Sequence, residues 1–475
     1  MKPKFNTLKP LLLLSASGAV AVGSAEAQEQ PNVIVILADD LGWGDVGYNG
    51  NSVVQTPRLD AMAQDGATLT NFYTAAPLSS PTRGSILTGR HPFRFGVLAA
   101  HTGALRSGEI TLAEVCRDNQ YATGFFGKWH LGWIELAGDS ARGYYSPPEY
   151  HGFDEVFATR SAVPTWNPTV TPDNFNMWGN VAGGPWKGSR YLHNGEPVTE
   201  NLDGDDSRVI MDRVIPFIDE SIASEKPFMA CVWFHTPHEP VVAGPEYLKM
   251  YEGLEDEEQR HYFGAITAMD DQIGRLLDHL EEMGVADNTI ICFTSDNGPS
   301  GGVTDRGVAS AGDFKGHKHQ VYEGGLRVPS IITWPSQIAE GQVVGGQTST
   351  CDYLPTIIEL AGLKFKHPSN YFVDGLSQAP ALLRGETVER EQGIFAGWMR
   401  LAEGTYGRAL IDGDYKLVYP EKSQVAELYN IACDPNETNN IIEEHPEIVE
   451  SMIEKMTAHE KSFDYSLKGG DYKTF

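Results

Sequence analysis

Cysteine is scarce in this chain. Five occur among 475 residues (Cys116, Cys231, Cys292, Cys351 and Cys433), widely scattered, odd in number and without a CxxC pair. That distribution excludes a disulfide framework and a zinc site built on paired thiolates. Cys231 and Cys292 stand in apolar runs and read as small buried hydrophobes. Positive charge is also short: 36 Lys and Arg face 64 Asp and Glu, a formal net charge of −28. So acidic a field repels nucleic acid, which is excluded as a partner held by general electrostatics. If the substrate is itself an anion, a local cationic pocket has to overcome that field. After the N-terminal stretch no apolar run approaches the roughly 18 residues of a spanning helix, which argues against stable membrane insertion. Internal repeats and low-complexity tracts are lacking too.

What is present begins with an export signal. Lys2, Lys4 and Lys9 form a basic start, Leu11 to Gly23 is apolar or small, and Ala25-Glu26-Ala27 offers a small-x-small cleavage site. Cleavage after Ala27 gives a periplasmic or secreted protein, and removing residues 1–27 takes away three Lys and one Glu, leaving −30. An uncleaved membrane anchor is the competing reading, disfavoured by the shortness of the stretch and its Ser and Gly content. With 41% hydrophobic and 10% aromatic residues the chain can bury more than one compact unit usually holds. The expected division is a signal peptide over 1–27, a large domain over 28–385 and a smaller C-terminal α+β subdomain over 386–475.

Short apolar runs alternate with helical patterns. Asn32–Leu37 is a buried-strand pattern, Pro57–Gly66 looks helical, and Ala67–Tyr73 returns as a strand. The alternation recurs at Thr111–Asn119 with Tyr121–Phe126, and again at Tyr262–Met283 with Thr289–Thr294. It predicts an α/β fold, a large mainly parallel sheet sandwiched by helices, with ligands beyond the carboxyl ends of the strands. Strand-like segments such as Tyr415–Val418 predict a small antiparallel sheet near the C-terminus. Residues 133–205 are dense in Gly, Pro and aromatics, including Tyr144, Tyr145, Trp166, Trp178 and Trp186. Those rings either stack on sugar faces or pack against each other.

Two of these strands end in polar pairs, Asp39-Asp40 and Asp296-Asn297. Either pair alone reads as turn chemistry. Two at equivalent strand ends point to an all-oxygen site for a hard cation, Ca2+ or Mg2+, and not for zinc.

The stretch Leu78 to Arg90, LSSPTRGSILTGR, has the look of a helix start, with Pro81 at the first helical position and Ser79 or Ser80 supplying the cap. Ser79-Ser-Pro-Thr-Arg83 also resembles the (C/S)-x-P-x-R signature of the formylglycine sulfatases. Other segments resemble that family in its own order: Pro31–Leu41, Gly127-Lys-Trp-His-Leu-Gly132, His235-Thr-Pro-His-Glu-Pro240, Ser295-Asp-Asn-Gly298, Lys318–Pro329 and Glu427–Asn440. The resemblance implies an alkaline phosphatase-like fold and a sulfuric ester hydrolase acting on a sulfated carbohydrate. It implies that a bacterial maturase oxidises Ser79 to formylglycine (3-oxoalanine) before export. A hydrated aldehyde carries two hydroxyls; one attacks sulfur, and ionisation of the other expels sulfate, whereas a plain serine would stay sulfated.

By the same resemblance Asp39, Asp40, Asp296, Asn297 and the modified Ser79 hold the cation. Arg83 holds the modified side chain, and Lys128, Lys318 and His238 clamp the sulfate oxygens. His130 assists loss of the second hydroxyl proton, and an acidic ligand such as Asp296 is the base for attack. Lys315 competes with Lys318 and His235 with His238 on composition alone. Arg90, His235, His319 and Trp166 are the expected substrate contacts. Two other readings stay open: a phosphoester or phosphonate hydrolase of the same superfamily, and a non-catalytic glycan-binding relative if Ser79 is unmodified.

Overall fold

The computed structural model describes residues 30–136, 143–400, 404–421, 423 and 425–472. The expected export signal lies outside the described residues. Among the described residues no helix is long and apolar enough to cross a membrane.

The strand Asn32–Ala38, NVIVILA, is buried at every position, the signature of a strand covered on both faces. It pairs in parallel with Phe228–Trp233 on one side and Thr289–Ser295 on the other. The whole sheet runs Gln342–Ser349, Ala67–Tyr73, Ser330–Thr333, Thr289–Ser295, Asn32–Ala38, Phe228–Trp233, Ala122–Lys128, Glu155–Thr159, Leu192–His193, Glu196–Pro197. Ser330–Thr333 is antiparallel to both its neighbours, and so are the pairings of the last two short strands. The rest is parallel.

Alternation along the central strand divides the interior in two. Val33, Val35 and Leu37 join one core with residues of the helices Ser79–Thr88, Leu112–Asp118 and Tyr353–Leu360. Ile34, Ile36 and Ala38 join the other, with the helices Pro57–Asp65, Asp206–Ala223 and Glu257–Glu282. Each fully buried aliphatic side chain here stabilises by roughly 2 kcal/mol, so a charge at Val35 would break the central layer.

Local chemistry moves several boundaries. The strand expected to stop at Phe126 continues through Gly127 to Lys128. Gly127 permits this: a Cβ there would lie 1.9 Å from the Trp233 carbonyl oxygen, and its φ is +111°. The long helix starts at Glu257, ahead of Tyr262, because the Asp256 side chain caps it by accepting from Glu258 N–H and Gln259 N–H. The expected serine cap is corrected. The helix Ser79–Thr88 has Leu78 at its N-cap with no side-chain cap, placing Ser79 first and Pro81 third. Serine at the first helical position is thereby freed for other contacts.

Four antiparallel strands, Ile394–Arg400, Thr405–Asp412, Tyr415–Tyr419 and Glu427–Asn430, form the second sheet in chain order. One face (Phe395, Leu410, Leu417, Leu428) packs under the helix Pro446–Leu467 through Met452, Met456 and Phe463. The other face (Ala396, Trp398, Ala409, Val418) packs on Leu78, Val321 and Leu326 of the large domain. The small sheet therefore backs the two segments that carry Ser79 and Lys318. In the aromatic segment Phe175 packs on Trp178 and Trp186, at centroid distances of 5.1 and 5.6 Å. Those rings brace each other, one of the two expectations for them.

Candidate active site

The registers Ala38↔Ser295 and Leu37↔Thr294 bring the two polar pairs side by side at one sheet edge. Asp39, Asp40, Asp296 and Asn297 are all buried. Asp40 sits at φ +65°, a conformation Asp tolerates better than most residues. Its N–H donates to Asp296 Oδ1 at 3.1 Å, and Asn297 Nδ2 donates to Asp40 Oδ1 at 2.7 Å. That amide orientation turns Asn297 Oδ1 toward Ser79 Oγ, 3.3 Å away, with Asp39 Oδ1 at 3.4 Å. The first residue of a helix thus presents its hydroxyl to both polar pairs at once.

Cations surround the carboxylates. Arg83 follows Ser79 by one turn on the same helix face, and its guanidinium donates twice to Asp296 Oδ2. Lys128 Nζ donates to Asp39 Oδ2 at 2.6 Å, and Lys318 Nζ to both Asp40 oxygens at 2.7 Å. His238 Nε2 stands 3.8 Å from Asp40 Oδ2, while Nδ1 lies 2.6 Å from the Glu239 carbonyl and is assigned the proton. Burial works to raise Asp39, yet Lys128 and the other cations overcome it and hold it well below the usual carboxylate range. Asp40 is lowered in the same way, burial being overcome by Lys318 first. Asp296 goes the other way despite Arg83: burial, and then the charge of Asp39, push it up to about 6. Burial, reinforced by Lys128, depresses His238 to about 4 and keeps it neutral.

The donor set fits a hard divalent cation. Carboxylate and amide oxygens of Asp39, Asp40, Asp296 and Asn297 gather at this edge, and ligand-capable atoms of Asp39 and Asp40, with a ring nitrogen of His238, lie within 4.8 Å of each other.

His130, at φ +58°, packs its ring on His101 with centroids 4.4 Å apart and Nε2 3.3 Å from both His101 ring nitrogens. Its buried Nδ1 has no partner among the described residues. Burial, then Lys128, holds both imidazoles below their ordinary range. Sequence reasoning missed His101, which lies in an unmarked loop with no motif around it.

The expected substrate contacts divide. Arg90 is a correction: it is fully buried, bonded to Asp471 at 2.6 Å and paired with Glu109 at 3.3 Å, over the Tyr371 ring. His235 is another, fully buried between Asp206 (2.8 Å) and Thr159 (2.7 Å). Both side chains are taken up by partners in the interior. His319, half-buried at φ +75°, feels the charges of Lys318 and Asp40 and stands beside the site. Trp166 stands apart from the carboxylates, packed on Gly244. Lys315 turns to Tyr429 Oη at 3.0 Å, so Lys318 is the lysine at the carboxylates.

A mainly parallel α/β sheet with an acidic, cation-lined edge and a hydroxyl at a helix start defines an alkaline phosphatase-like ester hydrolase. The model of the sulfatase family matches residues 31–363, and that of the N-sulphoglucosamine sulphohydrolase C-terminal region matches residues 314–462. N-acetylgalactosamine-6-sulfatase of Mus musculus is 32% identical over 393 residues, covering 80% of this chain and 71% of that protein. Steryl-sulfatase of Rattus norvegicus is 30% identical over 440 residues, covering 78% and 74%. Among solved structures, Ps i-CgsB in complex with k-i-k-neocarrahexaose superposes with a TM-score of 0.79 at 26% identity, covering 94% of this chain and 95% of that one. The chain belongs to the sulfatase family, the formylglycine-dependent sulfatases, and is a sulfuric ester hydrolase.

Proposed function

We propose that the protein hydrolyses O-sulfate esters of a sulfated carbohydrate, with Ser79 as formylglycine beside one divalent cation, Ca2+ or alternatively Mg2+. The carrying observation is the position of Ser79 Oγ, 3.4 Å from Asp39 Oδ1 and 3.3 Å from Asn297 Oδ1. The carbohydrate assignment is supported by the neocarrahexaose bound to the similar Ps i-CgsB and by the N-acetylgalactosamine-6-sulfatase relative.

Asp39, Asp40, Asp296 and Asn297 would hold the cation, which supplies polarisation of a sulfate oxygen and eases ionisation of a nearby hydroxyl. The hydrated formylglycine supplies one hydroxyl for attack and a second whose ionisation clears the sulfate. Lys128 and Lys318 bring positive charge to the sulfate oxygens and to the charge that develops on the leaving oxygen, and His238 stands beside them as a further polar contact to the sulfate group. Arg83 fixes Asp296 and the helix that starts at Ser79. The buried Nδ1 of His130, without a partner among the described residues, supports its role as acceptor of the second hydroxyl's proton. The folded protein buries Ser79 to 1% exposure, which supports maturation of this segment before the chain folds.

The test is sulfate release from a panel of defined sulfated oligosaccharides by protein made in a host with a serine-type maturase. Release from at least one sugar, lost in Ser79→Ala, is the expected result. Phosphate release from phosphoesters with no sulfate release would overturn the assignment, and binding without turnover would favour a lectin-like relative.

A further inference from the structure

One cleft beside the carboxylates is unused by the reaction. Glu239 follows His238 directly, and it lines a cavity of about 530 Å³ with Phe175, Glu257, His261 and Tyr262. A second cavity of about 360 Å³ shares Asn174, Glu257 and His261 with the first and is lined by Trp166. Together they form one trough from the His238-Glu239 turn to the indole of Trp166. Its apolar walls are fixed. A Cβ on Gly244 would come within 2.2 Å of the Trp166 ring, and Phe175 is braced by Trp178 and Trp186.

The polar groups in the trough carry a definite charge. Arg306 pairs with Glu258 through two hydrogen bonds, which cancels both. His261 accepts the Ala243 N–H on Nδ1 at 3.1 Å, which leaves its proton on Nε2 and the ring neutral. Among the described residues the carboxylates of Glu239 and Glu257 make no direct hydrogen bond or ion pair; Arg306 and Lys318 act on Glu239, and Glu257 on His261, only from a distance. The trough therefore presents carboxylates, Glu239, Glu257, Glu258 and Asp173, that outnumber its one arginine, against aromatic walls, in a protein whose formal net charge is −28. Sugar hydroxyls satisfy such acceptors with charge-assisted hydrogen bonds. A second anion beside them is repelled.

We propose that this trough seats the sugar next to the sulfated one and selects an uncharged neighbour, its hydroxyls donating to Glu239 and Glu257 and its apolar face against Trp166 or Phe175. The proposal rests on the sulfated-carbohydrate reading above and adds a requirement on the neighbouring residue: neither sulfate nor uronate.

Two series of oligosaccharides with the same sulfated residue, one with a neutral hexose beside it and one with a uronate or sulfated hexose, test this with the mature enzyme. The neutral series is expected to have a kcat/KM about 10-fold higher or more, the effect of one like charge at close range in partly screened surroundings. The double variant Glu239→Gln, Glu257→Gln is expected to narrow the ratio to within about 3-fold by removing that repulsion. The ratio is taken within each protein, so a lowered active fraction cancels, and Glu257→Gln alone is expected to narrow it partway. Turnover with equal or greater preference for the charged neighbour, or a ratio unmoved by the variants, overturns this inference and leaves the sulfatase reading standing. Silence on every sulfated oligosaccharide instead removes the sulfated-carbohydrate reading, and the inference with it.

Discussion

Arg83 and Asp296 are locked together: Nε and Nη2 of the fully buried guanidinium donate to one oxygen, Asp296 Oδ2, at 3.0 and 2.6 Å. The remaining arm, Nη1, donates to the backbone carbonyl of Lys128 at 2.8 Å. One side chain thus ties the Ser79 helix, the loop after Ser295 and the end of the Lys128 strand.

Lysine in place of Arg83 keeps the charge and loses the fork. Arg83→Lys is expected to lower kcat about 10²-fold or more while the protein remains folded, because the groups that meet the sulfate lose their common brace. Steady-state kinetics with circular dichroism as a folding control check this. An unchanged kcat would contradict the bracing role.

Lys416 is the second tie. It is fully buried on the C-terminal sheet, with Nζ 2.8 Å from Glu323 and 3.0 Å from Glu437. Glu323 stands five residues beyond Lys318, so this network anchors the Lys318 segment to the small sheet. Lys416→Met leaves two carboxylates buried without their cation and is expected to cost about 3–5 kcal/mol in denaturant unfolding. Adding Glu323→Gln and Glu437→Gln is expected to recover a large part of that loss. A single variant as stable as the parent would contradict the account.

The packing of His91 sets an acid limit on stability. Its ring stacks on Phe463 at 4.4 Å, and burial depresses it to about 3 from an ordinary 6.5, although Asp374 opposes the shift. Above pH 6.5 the group is neutral in both the folded and unfolded chain and contributes no pH dependence. As pH falls from 6.5 toward 3 the unfolded chain takes up a proton that the folded one refuses, so stability falls, by about 2 kcal/mol at pH 5. In His91→Phe that share of the slope is expected to vanish. Unfolding curves at pH 7 and pH 5 measure it, and identical slopes in the two proteins would refute it.

The three buried carboxylates imply metal-dependent stability as well as activity. Chelation is expected to abolish sulfate release and lower Tm. Restoring Ca2+ to about 100 times its Kd is expected to return close to 3 kcal/mol. A thermal scan indifferent to chelator and Ca2+ would exclude a cation at these residues.

Much of this was legible in the sequence, for physical reasons. Asn32–Ala38 announces a doubly covered strand because every residue but the first is apolar. The two polar pairs are legible as one site because parallel neighbours end at the same edge. Arg90 and His235 misled because their partners are remote: Asp471 lies 381 residues from Arg90, and Asp206 lies 29 residues from His235. No local pattern marks a buried ion pair of that separation. His101 was illegible for the same reason, since its role exists only where its loop folds onto His130. The serine cap failed because Ser79 turns its hydroxyl to Asp39 and Asn297 and away from its own helix.

The most direct measurement is the mass of the peptide carrying Ser79, from protein produced alongside a serine-type maturase, read together with sulfate release from the same preparation. A Ser79 peptide two hydrogens lighter than the encoded one, in a fraction that rises and falls with activity, is the expected result. Full activity from protein whose Ser79 peptide has only its encoded mass would contradict the account at its centre.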